Sequence, residues 1–150
     1  MKTLLYDRDC GFCRTILGAI LMRDHEAEIR PVALQDALAA DLLPDMSEED
    51  RFASFHLVDD EGLIRSGGEA LPPLFAGLAS TRSLGQALGA VQPATNALYR
   101  VIAANRSRIG PLVPDSWKRR ADATIRRREG KLGGDVLAAA SDELAEAERA

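Results

Sequence analysis

Apolar positions open the chain as a short run at residues 3–6, where Leu4, Leu5 and Tyr6 are followed at once by Asp7, Arg8 and Asp9, the mark of a strand ending in a charged turn. The period then changes. Phe12, Ile16, Ala19, Ile20 and Arg23 fall three and four apart, predicting a helix over residues 11–23 in which Gly18 is a tolerated weakness. Residues 28–33 alternate polar and apolar and read as a second strand that includes Ile29 and Val32. Residues 35–43 suit a short helix stopped by Pro44. The strongest strand signal covers residues 52–58, through Phe55, Leu57 and Val58, and Asp59-Asp60-Glu61-Gly62 behind it predicts a turn into a hairpin partner at 63–66.

The second half reads as helical. Ala70, Leu74, Phe75 and Leu78 keep helical spacing, but Pro72 and Pro73 confine a regular helix to the residues beyond them. Ser83 with Gln86 three residues on is a capping-box pattern ahead of Ala87, Leu88 and Val91. Pro93 suits a first helical position, and Ala94, Ala97, Leu98, Val101 and Ile102 form the buried stripe expected of a helix over residues 93–105. Gly110-Pro111-Leu112-Val113-Pro114 marks a boundary. Beyond it Trp117, Ala121 and Ile125 recur every fourth residue until Gly130, and after Gly133-Gly134 a second stripe runs through Val136, Leu137, Ala140 and Leu144. The expected order is β-α-β-α-β-β-α-α-α with a two-helix tail. This gives an α/β domain over residues 1–110 and a helical extension over 111–150.

Composition narrows the classes. A chain of 150 residues that is 46% hydrophobic and 28% charged suits one globular domain with a real core. Two cysteines are too few for a disulfide scaffold. No apolar run nears the roughly 18 residues of a membrane span, and the charged turn at residues 7–9 interrupts any signal-peptide core. A cytoplasmic protein with reduced thiols is expected. The net charge of −4 divides into −7 over residues 1–98, +7 over 99–131 and −4 over 132–150. The basic stretch Lys118-Arg119-Arg120 and Arg126-Arg127-Arg128 invites a nucleic-acid or acidic-membrane reading. Trp117 is the sole stacking aromatic beside it, and charge pairing between a basic and an acidic tail helix explains it as well, so neither partner is expected.

The chemistry concentrates in Cys10-Gly11-Phe12-Cys13, at the junction of the first strand and first helix. A helix N-terminus presents free N–H groups and the positive end of the macrodipole, which favour a Cys10 thiolate. Cys13, three residues on along the same helical face, can bridge to it. The pair can therefore cycle between dithiol and disulfide. Cys10 is the expected nucleophile, Cys13 the resolving thiol, and Asp7, three residues ahead, the candidate proton acceptor. Arg8 and Asp9 place opposing charges beside them.

These residues make an Asp-x-x-Cys-x-x-Cys motif, Asp7 with Cys10 and Cys13, and here the chain resembles the thiol-disulfide oxidoreductases of the DCC type. Phe55-His56-Leu57-Val58-Asp59 with Gly62, Ser66-Gly67 with Ala70, and Tyr99-Arg100, Ile102-Ala103 and Asn105-Arg106 resemble the family's later segments in order, over residues 3–110. The resemblance implies a thioredoxin-like sheet flanked by helices. It also implies an enzyme that exchanges disulfides without an organic cofactor, acting on a disulfide-containing substrate with a thiol donor such as glutathione or a thioredoxin system. Two positions depart from the pattern: Arg8 stands where the family commonly has Gly, and Ala53-Ser54 where thioredoxins carry a cis-proline.

Other readings weigh against this one. Cys10 and Cys13 could form half of a zinc site or be inert core thiols, but zinc wants about four ligands and only His25 and His56 remain, at spacings unlike a finger. His56, between Phe55 and Leu57, reads as a surface or sheet-face histidine, and His25 as a residue at a helix C-terminus. Asp7 could merely end the strand or cap the helix. Tyr99, Asn105 and Arg106 could be structural, Tyr99 by packing and Arg106 by pairing with a carboxylate. The alternative function is a non-catalytic thioredoxin-like module whose tail recruits a partner.

Overall fold

A computed structural model describes residues 1–147, with side chains through residue 133. Four strands, β1 (Lys2–Tyr6), β2 (Ile29–Ala33), β3 (His56–Val58) and β4 (Ile64–Ser66), form one mixed sheet in the order β2-β1-β3-β4. β2 runs parallel to β1, whereas β1–β3 and β3–β4 are antiparallel. Pro31 sits in β2 without a conflict because β2 is an edge strand, where one missing N–H faces no partner. The β3–β4 turn is held by Asp59, whose carboxylate accepts the N–H groups of Glu61 and Leu63 and pairs with Arg65. The Leu63 N–H first of all, and Arg65 with it, keep that carboxyl below its usual range.

Period-2 alternation divides the core between the sheet faces. Leu4, Tyr6, Ile29, Ala33 and Leu57 pack with Leu17, Ile20 and Leu21 of α1 (Gly11–Leu21), Leu74 of α4 (Leu71–Gly77) and Ile125 of α7 (Asp115–Ala147). Leu5, Val32 and Val58 pack on the other face with Ala39 of α2 (Ala37–Leu42) and Phe52 of α3 (Glu48–Ala53). The βαβ unit followed by a hairpin is the thioredoxin-like α/β arrangement expected, with helices on both faces and a long C-terminal helix.

Several elements differ from their sequence reading. Phe52 and Ala53 belong to α3, not to a strand over 52–58, because Ser47 caps that helix by accepting the Asp50 N–H at 3.1 Å and Glu48, Glu49 and Asp50 fill its first turn. Pro72 and Pro73 lie inside α4 at its first turn, where their missing N–H groups cost nothing. Ser83 does not cap: α5 (Arg82–Ala90) begins one residue earlier, after Thr81.

The largest difference is the facing of α6 (Gln92–Ile109). Most of its expected buried stripe is turned outward, with Leu98 59% and Val101 61% exposed and Ile102 half-buried, while Thr95 is buried and Asn96 and Tyr99 face the body. The cause is the turn Gly67–Glu69 beneath it. Gly67, at φ +55°, leaves no room for a Cβ against the Tyr99 ring, so the aromatic and polar side of α6 docks there.

One helix, α7, runs through Gly130 and Gly133 where a break between two helices was expected. The stripe Val136, Leu137, Ala140 and Leu144 lies outside the described side chains. Of the earlier stripe, Ala121 and Ile125 are buried and Trp117 is not. α7 crosses α1 at Gly18, where a Cβ would run into the Cα and Cβ of Ala121. A buried ion pair fastens the crossing: Asp24, 4% exposed, accepts the Glu28 and Ile29 N–H groups and pairs with Arg128 at 2.5 Å. Arg128 also donates to the Asp24 and Ile29 carbonyls. Arg128 is thus part of the fold rather than of the exposed basic run. Among the described residues no helix is long and apolar enough to cross a membrane.

Candidate active site

The end of β1 and the start of α1 place the two cysteines. Cys10 is the N-cap residue of α1 in extended conformation, and its Sγ accepts the Cys13 N–H at 3.2 Å. The sulfur itself thus takes the cap position, the place at a helix start that favours a thiolate when the pair is reduced. Cys10 and Cys13 are joined in a disulfide, their Cα atoms 5.2 Å apart, and both are half-buried.

Asp7 follows β1 directly. Its Oδ1 accepts the Asp9 N–H at 3.0 Å and the Gln35 Nε2 at 2.8 Å, and among the described residues no donor reaches Oδ2. Asp7 and Cys13 line one cavity of about 230 Å³. Apolar side chains from three helices form most of its wall, among them Phe12 and Ile16 of α1, Phe75 of α4, and Leu98 and Ile102 of α6. Ser54 and Phe55, just ahead of β3, line it as well.

The loop between Asp7 and Cys10 is tied down on both sides. Gln35 accepts the Arg8 N–H at 3.2 Å and donates to Asp9 Oδ2 at 3.3 Å in addition to Asp7. The Arg8 guanidinium reaches Asp36 at 2.7 Å. Arg14, one turn into α1, donates to the Arg8 carbonyl at 2.6 Å and pairs with Asp122 of α7 at 2.9 Å. The charges of Arg8 and Asp9 therefore each have a partner of their own in the loop network. Tyr6, immediately before Asp7, donates to Glu129 of α7 at 3.2 Å; burial, with the Glu129 charge next, pushes its phenol up to about 12.

The remaining sequence candidates make their contacts within the fold. Tyr99 stacks edge-on against Phe55 with ring centroids 5.6 Å apart, and its hydroxyl accepts the Phe55 N–H at 3.4 Å. Arg106 donates to the Phe52 carbonyl at 3.0 Å, not to the carboxylate expected. Asn105 bonds back to the Val101 carbonyl within α6. His56 is a sheet-face residue but not a surface one: it is 1% exposed, between Ser66 Oγ at 2.7 Å and the Arg51 carbonyl at 2.9 Å, and burial lowers its pKa. His25 is exposed in the turn beyond the end of α1. Among the described residues no three His, Cys, Asp or Glu side chains gather as a metal site would require.

Gln35, Arg14 and the cavity were not found in the sequence. For Gln35 a signal existed: the parallel pairing of Tyr6 with Ala33 brings the residue two after β2 beside the residues just after β1.

Residues 4–111 match the family described as DCC1-like thiol-disulfide oxidoreductase. No curated protein matches the chain significantly. The same is true of solved structures.

Proposed function

Because the chain belongs to the DCC1-like thiol-disulfide oxidoreductase family, we propose that Cys10 and Cys13 are its redox couple, that Asp7 serves it as proton acceptor, and that it runs as a reductase. The Cys10 thiolate attacks one sulfur of a substrate disulfide, forming a mixed disulfide and releasing the first substrate thiolate. Asp7 takes the proton of Cys13, whose thiolate attacks Cys10 Sγ. The Cys10–Cys13 disulfide forms, the second substrate thiolate leaves, and two electrons have passed from the dithiol to the substrate. An external thiol donor restores the dithiol by the reverse exchange. We assign the protein to the cytoplasm, where thiol pools favour the reductase direction.

The observation that carries this reading is the capping bond, which holds Cys10 sulfur at the positive end of α1 within bridging distance of Cys13. Redox titration with mass-spectrometric thiol counting tests it. The expected result is a reversible two-electron change confined to Cys10 and Cys13, loss of disulfide reduction in Cys10→Ser, and accumulation of a mixed disulfide in Cys13→Ser. Failure of the pair to cycle, or full activity in Cys10→Ser, overturns it.

A further inference from the structure

We propose that the cavity beside the disulfide is a specificity pocket, which selects substrates carrying a large apolar side chain next to the disulfide to be reduced. The inference rests on the oxidoreductase reading and adds the substrate class to it. The cavity holds about 230 Å³ and has Cys13 and Asp7 in its wall, so whatever fills it lies against Cys13, the residue bridged to Cys10. An apolar cavity of roughly 150 Å³ is enough to take a benzene ring, so this one accommodates the side chain of a phenylalanine or leucine.

The lining decides the chemistry. Three of its polar members have partners within the fold: Thr95 Oγ donates to the Leu88 carbonyl at 2.9 Å, the Tyr99 hydroxyl accepts from Phe55, and Arg106 donates to Phe52. Asp7 is held by Gln35. Apart from Ser54 and Asp7 Oδ2, the wall of Phe12, Ile16, Phe75 and Ile102 gives a hydrophilic substrate group nothing in return for its water, whereas an apolar group gains by every Å² it buries. The rim continues the same character. Ile16 is 46% exposed and Leu98 59% exposed, both at the cavity, so apolar surface leads from the outside to Cys13. A substrate peptide would place the residue beside its cysteine in the cavity while its disulfide meets Cys10.

Two disulfide-bonded peptides, identical except for Phe or Ser beside the cysteine, test the proposal, since the sulfur chemistry is the same in both. The expected kcat/KM is roughly 10-fold higher for the Phe peptide. Leu98→Glu puts a charge on the rim, and Ala103→Leu fills the cavity from α6. Each should collapse the Phe-to-Ser ratio toward one; Leu98 is exposed, so its variant reads the ratio even if the filled variant does not fold. A ratio near one in the unaltered protein with both peptides reduced overturns the pocket and leaves the oxidoreductase reading standing. Reduction of neither peptide overturns that reading and the specificity with it. A preference for Phe that survives both substitutions, or one that tracks dimerisation of the chain, places the recognition elsewhere and overturns the pocket.

Discussion

Gln35 donates its side-chain N–H to Asp7 Oδ1 at 2.8 Å, fixing from the loop after β2 the carboxylate that stands three residues ahead of Cys10. If Asp7 takes the proton of Cys13, Gln35 is its positioning residue. Asp7→Asn should then lose about 100-fold in kcat, the usual weight of one general base. Gln35→Ala, at an exposed position, should lose about 10-fold, the value of one hydrogen bond to a charged group, with a displaced pH–rate profile. Steady-state kinetics across pH check both. An unaltered kcat and profile in Gln35→Ala would remove the positioning role.

Gly18 and Gly130 should respond to alanine with opposite signs. At Gly18 the new Cβ meets the backbone of Ala121, so overpacking should cost on the order of 1–3 kcal/mol as α7 is pushed from α1. At Gly130, with open space around it in the same α7, alanine should add about 0.5–1 kcal/mol through helix propensity. Urea midpoints of the two variants give the comparison directly, and equal shifts would contradict the crossing.

These two glycines also illustrate what the sequence could convey. Local signals were legible where the physics is local: the strand-to-helix junction at Cys10, the hairpin turn at Asp59 to Gly62, and the Cys10–Cys13 pair all come from neighbours within a few residues. Facing was not legible. The apolar side of α6 looked like a core stripe, yet the fold turns Asn96 and Tyr99 inward, where Gly68 and Gly67 give them close seats. Gly18 likewise looked like a weak helix position and is a contact point, since its partner Ala121 is remote in sequence. Gln35 reads as any loop glutamine until parallel pairing brings it beside Asp7.

His56 gives stability a pH dependence. Burial first of all lowers its folded pKa, against the weaker opposing pull of the Arg51 carbonyl, so the neutral ring belongs to the folded state. The unfolded chain binds the proton more readily. Stability from this group is therefore complete above about pH 6.5, the ordinary histidine value, and is lost as pH falls from there toward the lower folded value. Thermal melts between pH 7.5 and 5 should show a decline in Tm that is shallower in His56→Gln. Parallel curves for the two proteins would exclude His56 as the source.

Arg128 and Arg127 should separate sharply despite their adjacency. Arg128→Met leaves the Asp24 carboxylate buried without its cation, a loss of about 3–5 kcal/mol. Arg127→Met, at an exposed position, should stay within about 0.5 kcal/mol. Adding Asp24→Asn to Arg128→Met should recover part of the loss, because an amide tolerates burial better than a charge. Guanidinium unfolding of the three proteins reads the order.

The clamp between Asp24 and Arg128 spans 104 positions of sequence. During synthesis the N-terminal half leaves the ribosome with the first strand, the cysteines and Asp24 already present, but the cation that neutralises Asp24 and the Ile125 that closes the core arrive more than a hundred residues later. Folding cannot be completed as each piece emerges, and long-range closure of this kind is slow. For that interval Cys10 and Cys13 belong to a nascent chain that still lacks α7 and the core that α7 closes.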